Sequence, residues 1–177
     1  MPRIRLPSRR HVCRGLALAA TALLARPVVA AARASEARAD RIVVLKSERK
    51  LILLRAASSL ESFPIALGSH PVGPKRAQGD ARTPEGHYRI DGFNPQSRFY
   101  RALHISYPNA EDVRRARAAG LSPGGDIEIH GLPDGFGHYD PVAFYKDWTD
   151  GCIAVSNPAI EAIWASVGIG TAVDIMA

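Results

Sequence analysis

Apolar residues fall along this chain in short clusters separated by charged or turn-forming residues, and amphipathic stretches long enough for helices are few. Ile42-Val43-Val44-Leu45 and Leu51-Ile52-Leu53-Leu54 flank Lys46-Ser47-Glu48-Arg49-Lys50, which predicts two strands joined in a hairpin. Phe63 to Leu67 predicts a third strand, placed at a sheet edge or a strand start by Pro64. Pro71 to Thr83, rich in Gly, Pro and charge, reads as a loop leading into a strand that begins near His87. Phe99 to Ser106 alternates, with Leu103 and Ile105 on one face, and Tyr107-Pro108-Asn109 ends it. Asp126-Ile127-Glu128-Ile129-His130 alternates and stops at a histidine, and Ala172-Val173-Asp174-Ile175 forms a closing strand.

Two segments carry helical signals instead. Asn109 to Ala119 has a capping Asn109, acidic Glu111 and Asp112 near its start and Arg114, Arg115 and Arg117 later, which suits the helix dipole. Pro158 to Val167 has Asn157 as the expected cap, Pro158 at its first position and Ile160, Ile163, Trp164 and Val167 at helical spacing. Strands do not alternate with helices, so the fold class is mainly β with two short helices, sandwich-like and not doubly wound.

The amino terminus changes how composition is to be read. Residues 1–34 place Arg3, Arg5, Arg9, Arg10 and Arg14 before an apolar run from Gly15 to Ala25 and then small residues, the anatomy of a cleaved export signal. The apolar run is shorter than the about 20 residues that span a bilayer. Cleavage after Ala34 or after Ala30 fits the small-x-small pattern, and Ser8-Arg9-Arg10 resembles a twin-arginine signal, with an ordinary secretion signal as the other reading. Residues 35–41 read as a flexible lead-in and 42–177 as one domain. Seven of the 23 Lys and Arg and none of the 17 Asp and Glu lie in residues 1–34, leaving 16 basic against 17 acidic residues. The pI of about 9.7 therefore belongs to the leader. No basic stripe remains to suggest nucleic acid, and no stable membrane insertion is expected once the leader is removed.

Cys13 lies in the leader, so Cys152 is alone in the mature chain and has no intramolecular disulfide partner. An unpaired thiol outside the cytoplasm is either buried or used. It stands in Trp148-Thr149-Asp150-Gly151-Cys152-Ile153-Ala154-Val155, downstream of Ile129-His130-Gly131 and a glycine-containing loop. An imidazole beside a thiol can take its proton and stabilise the thiolate, and Gly on one side lets a peptide carbonyl approach the sulfur. Backbone N–H groups around Gly151 and Cys152 would then face the oxyanion. His70, His87, His104 and His138 show no metal-like spacing with Cys152, so no metal site is expected. Trp148 either packs under the loop or meets glycan. Thr149 either bonds within the site or fixes the turn, and Leu132 to Tyr145 is a lid or a long connector.

His130-Gly131 followed by Thr149-Asp150-Gly151-Cys152 resembles the signature of the YkuD-type L,D-transpeptidases, in which His-Gly on a strand precedes Ser/Thr-x-Gly-Cys. Thr83-Pro84-Glu85-Gly86-His87-Tyr88 is similar to the family's strand entry and Gly170-Thr171-Ala172-Val173-Asp174-Ile175 to its terminal strand, so the resemblance covers about Ile42 to Ile175. It implies a β-sandwich catalytic domain in the periplasm or cell envelope, acting on peptidoglycan stem peptides without a metal or organic cofactor. It also implies a thioester of Cys152 with a diaminopimelate-containing stem, passed on to an amine or to water, with His130 as base and the Gly131 carbonyl orienting it. Gly151, Thr149, Asp150 and Trp148 are the expected oxyanion or substrate-binding residues. Cross-linking family members commonly carry His before the Gly-Cys pair and Arg two positions after the Cys, where this chain has Asp150 and Ala154. Arg is a natural partner for a substrate carboxylate, and Ala154 shifts weight towards a hydrolytic or cross-link-cleaving member. A thiol amidase with another substrate and a non-catalytic wall-binding module remain the alternatives, and the oligomeric state is not specified by the sequence.

Overall fold

The computed structural model describes residues 38–133, 135–136 and 147–177. The expected leader over residues 1–34 lies outside the described residues, as does most of the expected lid. Strands β1 (Arg41–Leu45) and β2 (Lys50–Arg55) form the expected hairpin, with Val43 opposite Ile52. Alternation sends Ile42, Val44, Leu51 and Leu53 inward.

The third strand lies earlier than the apolar run at Phe63 to Leu67 suggests. β3 is Ser58–Pro64, and of its seven residues only Phe63 is buried. The turn before it uses Ala56 and Ala57 at φ 46° and 66°, a pair of left-handed positions that two-residue hairpins usually fill with Asn or Gly. The turn thus left no mark in the sequence. Ile65-Ala66-Leu67 continues as a connector, and Ala66 exchanges two backbone hydrogen bonds of 2.9 Å with Ala154.

β4 (Gly86–Ser97) connects the two halves of the molecule. Its Gly86–Arg89 portion pairs with β8 (Ala172–Met176), which in turn runs parallel to β1, and its later portion pairs with β5 (Tyr100–Ile105). β5 carries β6 (Glu128–His130), and β6 runs parallel to β7 (Ile153–Ala154). The path is therefore β3-β2-β1-β8-β4-β5-β6-β7, and the Ala66 bridges bring its last strand back to the connector that leaves its first. Both halves contribute to one core, which joins Ile42, Leu53 and Val173 to Leu103, Ile129 and Ile153.

Helix α1 (Ala110–Ala118) starts in a capping box: Asn109 accepts from the Asp112 N–H while Asp112 accepts from that of Asn109. Asp112 is also the acceptor for the buried Tyr88 hydroxyl at 3.0 Å, which fastens α1 to β4. Helix α2 (Asn157–Ser166) is capped one residue earlier than expected, because the Ser156 hydroxyl accepts from the Ala159 N–H. Asn157 is thereby released for a contact at the site.

Candidate active site

β6 and β7 place the two candidate reactive side chains by register. Ile129 and Ile153 face each other and point into the core, as does Val155. The opposite face of the same two strands therefore carries Glu128 and His130 on β6 and Ala154 on β7, with Cys152 standing one residue before β7. Ile129 pairs with Ile153, so one step back along the same register brings Cys152, just before β7, beside Glu128 and diagonal to His130. The Glu128 backbone N–H reaches the sulfur, and the thiol donates to the Asp126 carbonyl at 3.5 Å.

His130 is 1% exposed and held on several sides. Its Nδ1 lies 2.7 Å from the Gly131 carbonyl, which requires Nδ1 to carry the proton and leaves Nε2 as the basic nitrogen. Phe99 stacks on the ring at 4.3 Å and Trp148 meets it edge-on at 5.7 Å. Phe99 comes from the Arg98-Phe99 turn joining β4 to β5, so the hairpin tip drapes over the histidine. Gly131 permits this approach, because a side chain there would come within 2.6 Å of Asn157 Oδ1 and 2.9 Å of the Phe99 carbonyl. Asn157 Oδ1 in turn accepts from the Leu132 N–H at 2.9 Å and so fixes the chain just beyond the histidine.

The loop before Cys152 is built around Thr149. Its hydroxyl donates to the Cys152 carbonyl at 2.7 Å and accepts from the Gly151 N–H at 3.1 Å, while its backbone bridges Leu67 and Ser69. Thr149 thus fixes the turn. Gly151 adopts φ +131°, where a side chain would be strained and would also stand 2.6 Å from the Arg82 carbonyl. Asp150 is exposed. Trp148 packs on Phe99 and His130, and its indole Nε1 has no hydrogen-bond partner among the described residues. Asp147 accepts from the Leu67 N–H at 2.9 Å and pairs with Arg49 at 2.7 Å, anchoring the chain where it returns to the site.

Electrostatically the pair rests neutral. Burial lowers the pKa of His130 to about 4, opposed by the Gly131 hydrogen bond and aided by the charge of Arg98. Burial raises the Cys152 thiol to about 11, with the Glu128 N–H acting against it and the Glu128 and Asp150 carboxylates adding to it. A preformed thiolate–imidazolium pair, expected from the motif alone, is disfavoured on both sides. Among the described residues no group of three or more His, Cys, Asp and Glu is placed to hold a metal ion.

Ala154 answers why an Arg is missing two positions after Cys152. It is 0% exposed on the same face as the cysteine and is clamped on both edges, by His130 and by Ala66. The residues that sequence reasoning missed here are Phe99, Asn157 and Glu128. Only Glu128 left a signal, by sharing the alternation of His130.

The sequence matches the L,D-transpeptidase catalytic domain family (YkuD) over residues 39–175. It is 35% identical over 132 residues to YafK of Escherichia coli (strain K12), a protein named for L,D-transpeptidase activity, across 71% of this chain and 46% of YafK. The chain thus spans about half the length of the curated relatives it matches. The helical cell shape determining protein Pgp2 from Campylobacter jejuni is similar in structure, with a TM-score of 0.57 and 25% identity over 76% of this chain and 46% of that one. Bd1075 of Bdellovibrio bacteriovorus shares the fold, with a TM-score of 0.55 and 24% identity over 80% of this chain and 49% of its own. By a family match that runs through nearly every described element, this chain belongs to the L,D-transpeptidase catalytic domain family.

Proposed function

We propose that this domain is a cysteine acyltransferase of the cell envelope that forms a thioester between Cys152 and a peptidoglycan stem peptide. The observation that carries the reading is the diagonal placement of His130 at the end of β6 and Cys152 just before β7, with Nδ1 fixed on the Gly131 carbonyl. In this scheme the stem-peptide carbonyl enters over the sulfur and the thiol turns from Asp126 towards His130. Nε2 takes the Sγ proton as the S–C bond forms, so the thiolate arises during attack and not before it. The Gly151 N–H is already given to Thr149, which leaves the Cys152 N–H as the backbone donor for the oxyanion. Nε2 then returns the proton to the departing amine, and the C–N bond breaks with release of the terminal D-amino acid. An acceptor amine, or water, attacks the thioester and passes its proton to Nε2. The C–S bond breaks, and the sulfur regains its proton.

Hydrolysis is the second reading, favoured by Ala154 where cross-linking members carry Arg. Both are tested by incubating the protein with purified tetrapeptide muropeptides and identifying products by mass. Transfer gives new cross-linked dimers, and hydrolysis gives the stem shortened by one residue. Cys152→Ala gives neither. Unchanged muropeptides with folded wild-type protein would contradict both readings.

A further inference from the structure

The face that holds the thiol lacks the cation that cross-linking relatives place on β7, yet a cation stands at the site from a different element. Arg98 occupies the β4–β5 turn, exposed, with its guanidinium 4.8 Å from the centre of the Phe99 ring. Phe99 also stacks on His130, so the guanidinium and the imidazole pack against the same phenyl ring. Most neighbouring cations are already occupied. Arg101 pairs with Glu161 at 3.0 Å, Lys75 with Asp80 at 2.7 Å, and Arg82 donates to the Val72 carbonyl. Arg98 has no carboxylate within ion-pair distance among the described residues, and its charge still acts on both His130 and Glu128. Stacking on an aromatic ring desolvates one face of a guanidinium and orients it, while its N–H edge stays free for a bidentate contact with a planar anion.

The geometry points to Arg98 as the specificity residue that receives a free carboxylate of the substrate next to the scissile bond. This rests on the acyl-transfer reading, and it assigns to the hairpin tip the role that a buried alanine on β7 cannot fill. The ligand chemistry is that of a peptide acid: the terminal residue that leaves carries an α-carboxylate within one residue of the attacked carbonyl. A single charge-assisted, bidentate contact of this kind is worth about tenfold in affinity or rate.

The test compares iodoacetate with iodoacetamide as alkylating agents for Cys152 in the full chain. In both reactions the sulfur bonds to the CH2 carbon and iodide leaves, and only iodoacetate brings a carboxylate. Wild-type protein is expected to favour iodoacetate relative to Arg98→Gln by about tenfold, normalised to iodoacetamide. Arg98→Lys retains part of the preference, and Arg101→Gln, a cation on the same hairpin, retains all of it. A second arm uses a stem tetrapeptide and its C-terminal amide: Arg98→Gln raises KM for the acid with kcat unchanged and leaves the amide unaffected. An iodoacetate preference equal in wild type and Arg98→Gln overturns the proposal. A preference that depends on Arg98 in a protein that turns over neither peptide upholds the anion subsite and contradicts the acyl-transfer reading instead.

Discussion

His130 shows most directly how burial sets chemistry. A histidine whose folded pKa is about 4 stays neutral, and so able to accept a proton, through the whole physiological range. kcat/KM should therefore hold level from neutral pH down to about pH 5 and fall by half near pH 4. An acid limb centred near pH 6.5, the ordinary value for histidine, would show that burial does not control the base. The same shift makes a statement about stability. The folded pKa lies below the unfolded one, so between about 6.5 and 4 the unfolded chain binds more protons and stability falls as pH falls. The loss tends towards about 3 kcal/mol below pH 4, and His130→Gln should flatten that part of a denaturation series against pH. The strand that ends at this histidine was legible from the alternation before it. The histidine's neutrality was not, because it depends on Phe99 and Trp148 closing over the ring from places distant in sequence.

Among the elements, α2 and β7 do more for the site than their sequence signals suggest. Period and proline locate the second helix in the sequence, and they make Asn157, directly before Pro158, the expected cap. Ser156 takes that role, and Asn157 holds the Leu132 N–H beside the Gly131 carbonyl on which His130 is oriented. Asn157→Ala should cost about 1 kcal/mol of stability and slow acylation of Cys152, whereas Asn157→Asp, which keeps the acceptor, should retain most of the rate. Equal rates in wild type and Asn157→Ala would remove Asn157 from the site. On β7, Ala154→Arg forces a long cation into a fully buried position between two hydrogen-bonded neighbours. It should destabilise the domain by about 1–3 kcal/mol or more and leave acylation no faster, as read by chemical denaturation and by rate. A stable, faster variant would mean that the strand has room for the missing arginine. Strand β3 shows a different limit of the sequence: alanines at positive φ leave no turn signal, and of the apolar run Phe63 to Leu67 only the first two residues belong to the strand, the rest forming the connector that closes the sheet onto Ala154.

At the scale of the whole molecule, the class was legible because patterning and motif order agree: many short strands, two helices, and His-Gly before Gly-Cys. What joins them was not legible. Lys46, in what reads as a charged hairpin loop, is 2% exposed and donates to the Gly73 and Thr83 carbonyls and to Glu85. It ties the glycine-rich loop to the sheet, a contact that only the folded chain creates. Export of this domain, argued from residues 1–34, predicts an amino terminus near Ser35 for protein recovered from the cell envelope, and an intact Met1 on such protein would contradict it. The account as a whole rests on a covalent intermediate between the domain and the wall. Intact-protein mass after brief exposure to a tetrapeptide stem, followed by peptide mapping, should place the acyl group of the shortened stem on Cys152. That adduct should be released by hydroxylamine and absent from Cys152→Ala. A folded wild-type protein with a free thiol that carries no such adduct, or an adduct that persists in Cys152→Ala, would contradict the account.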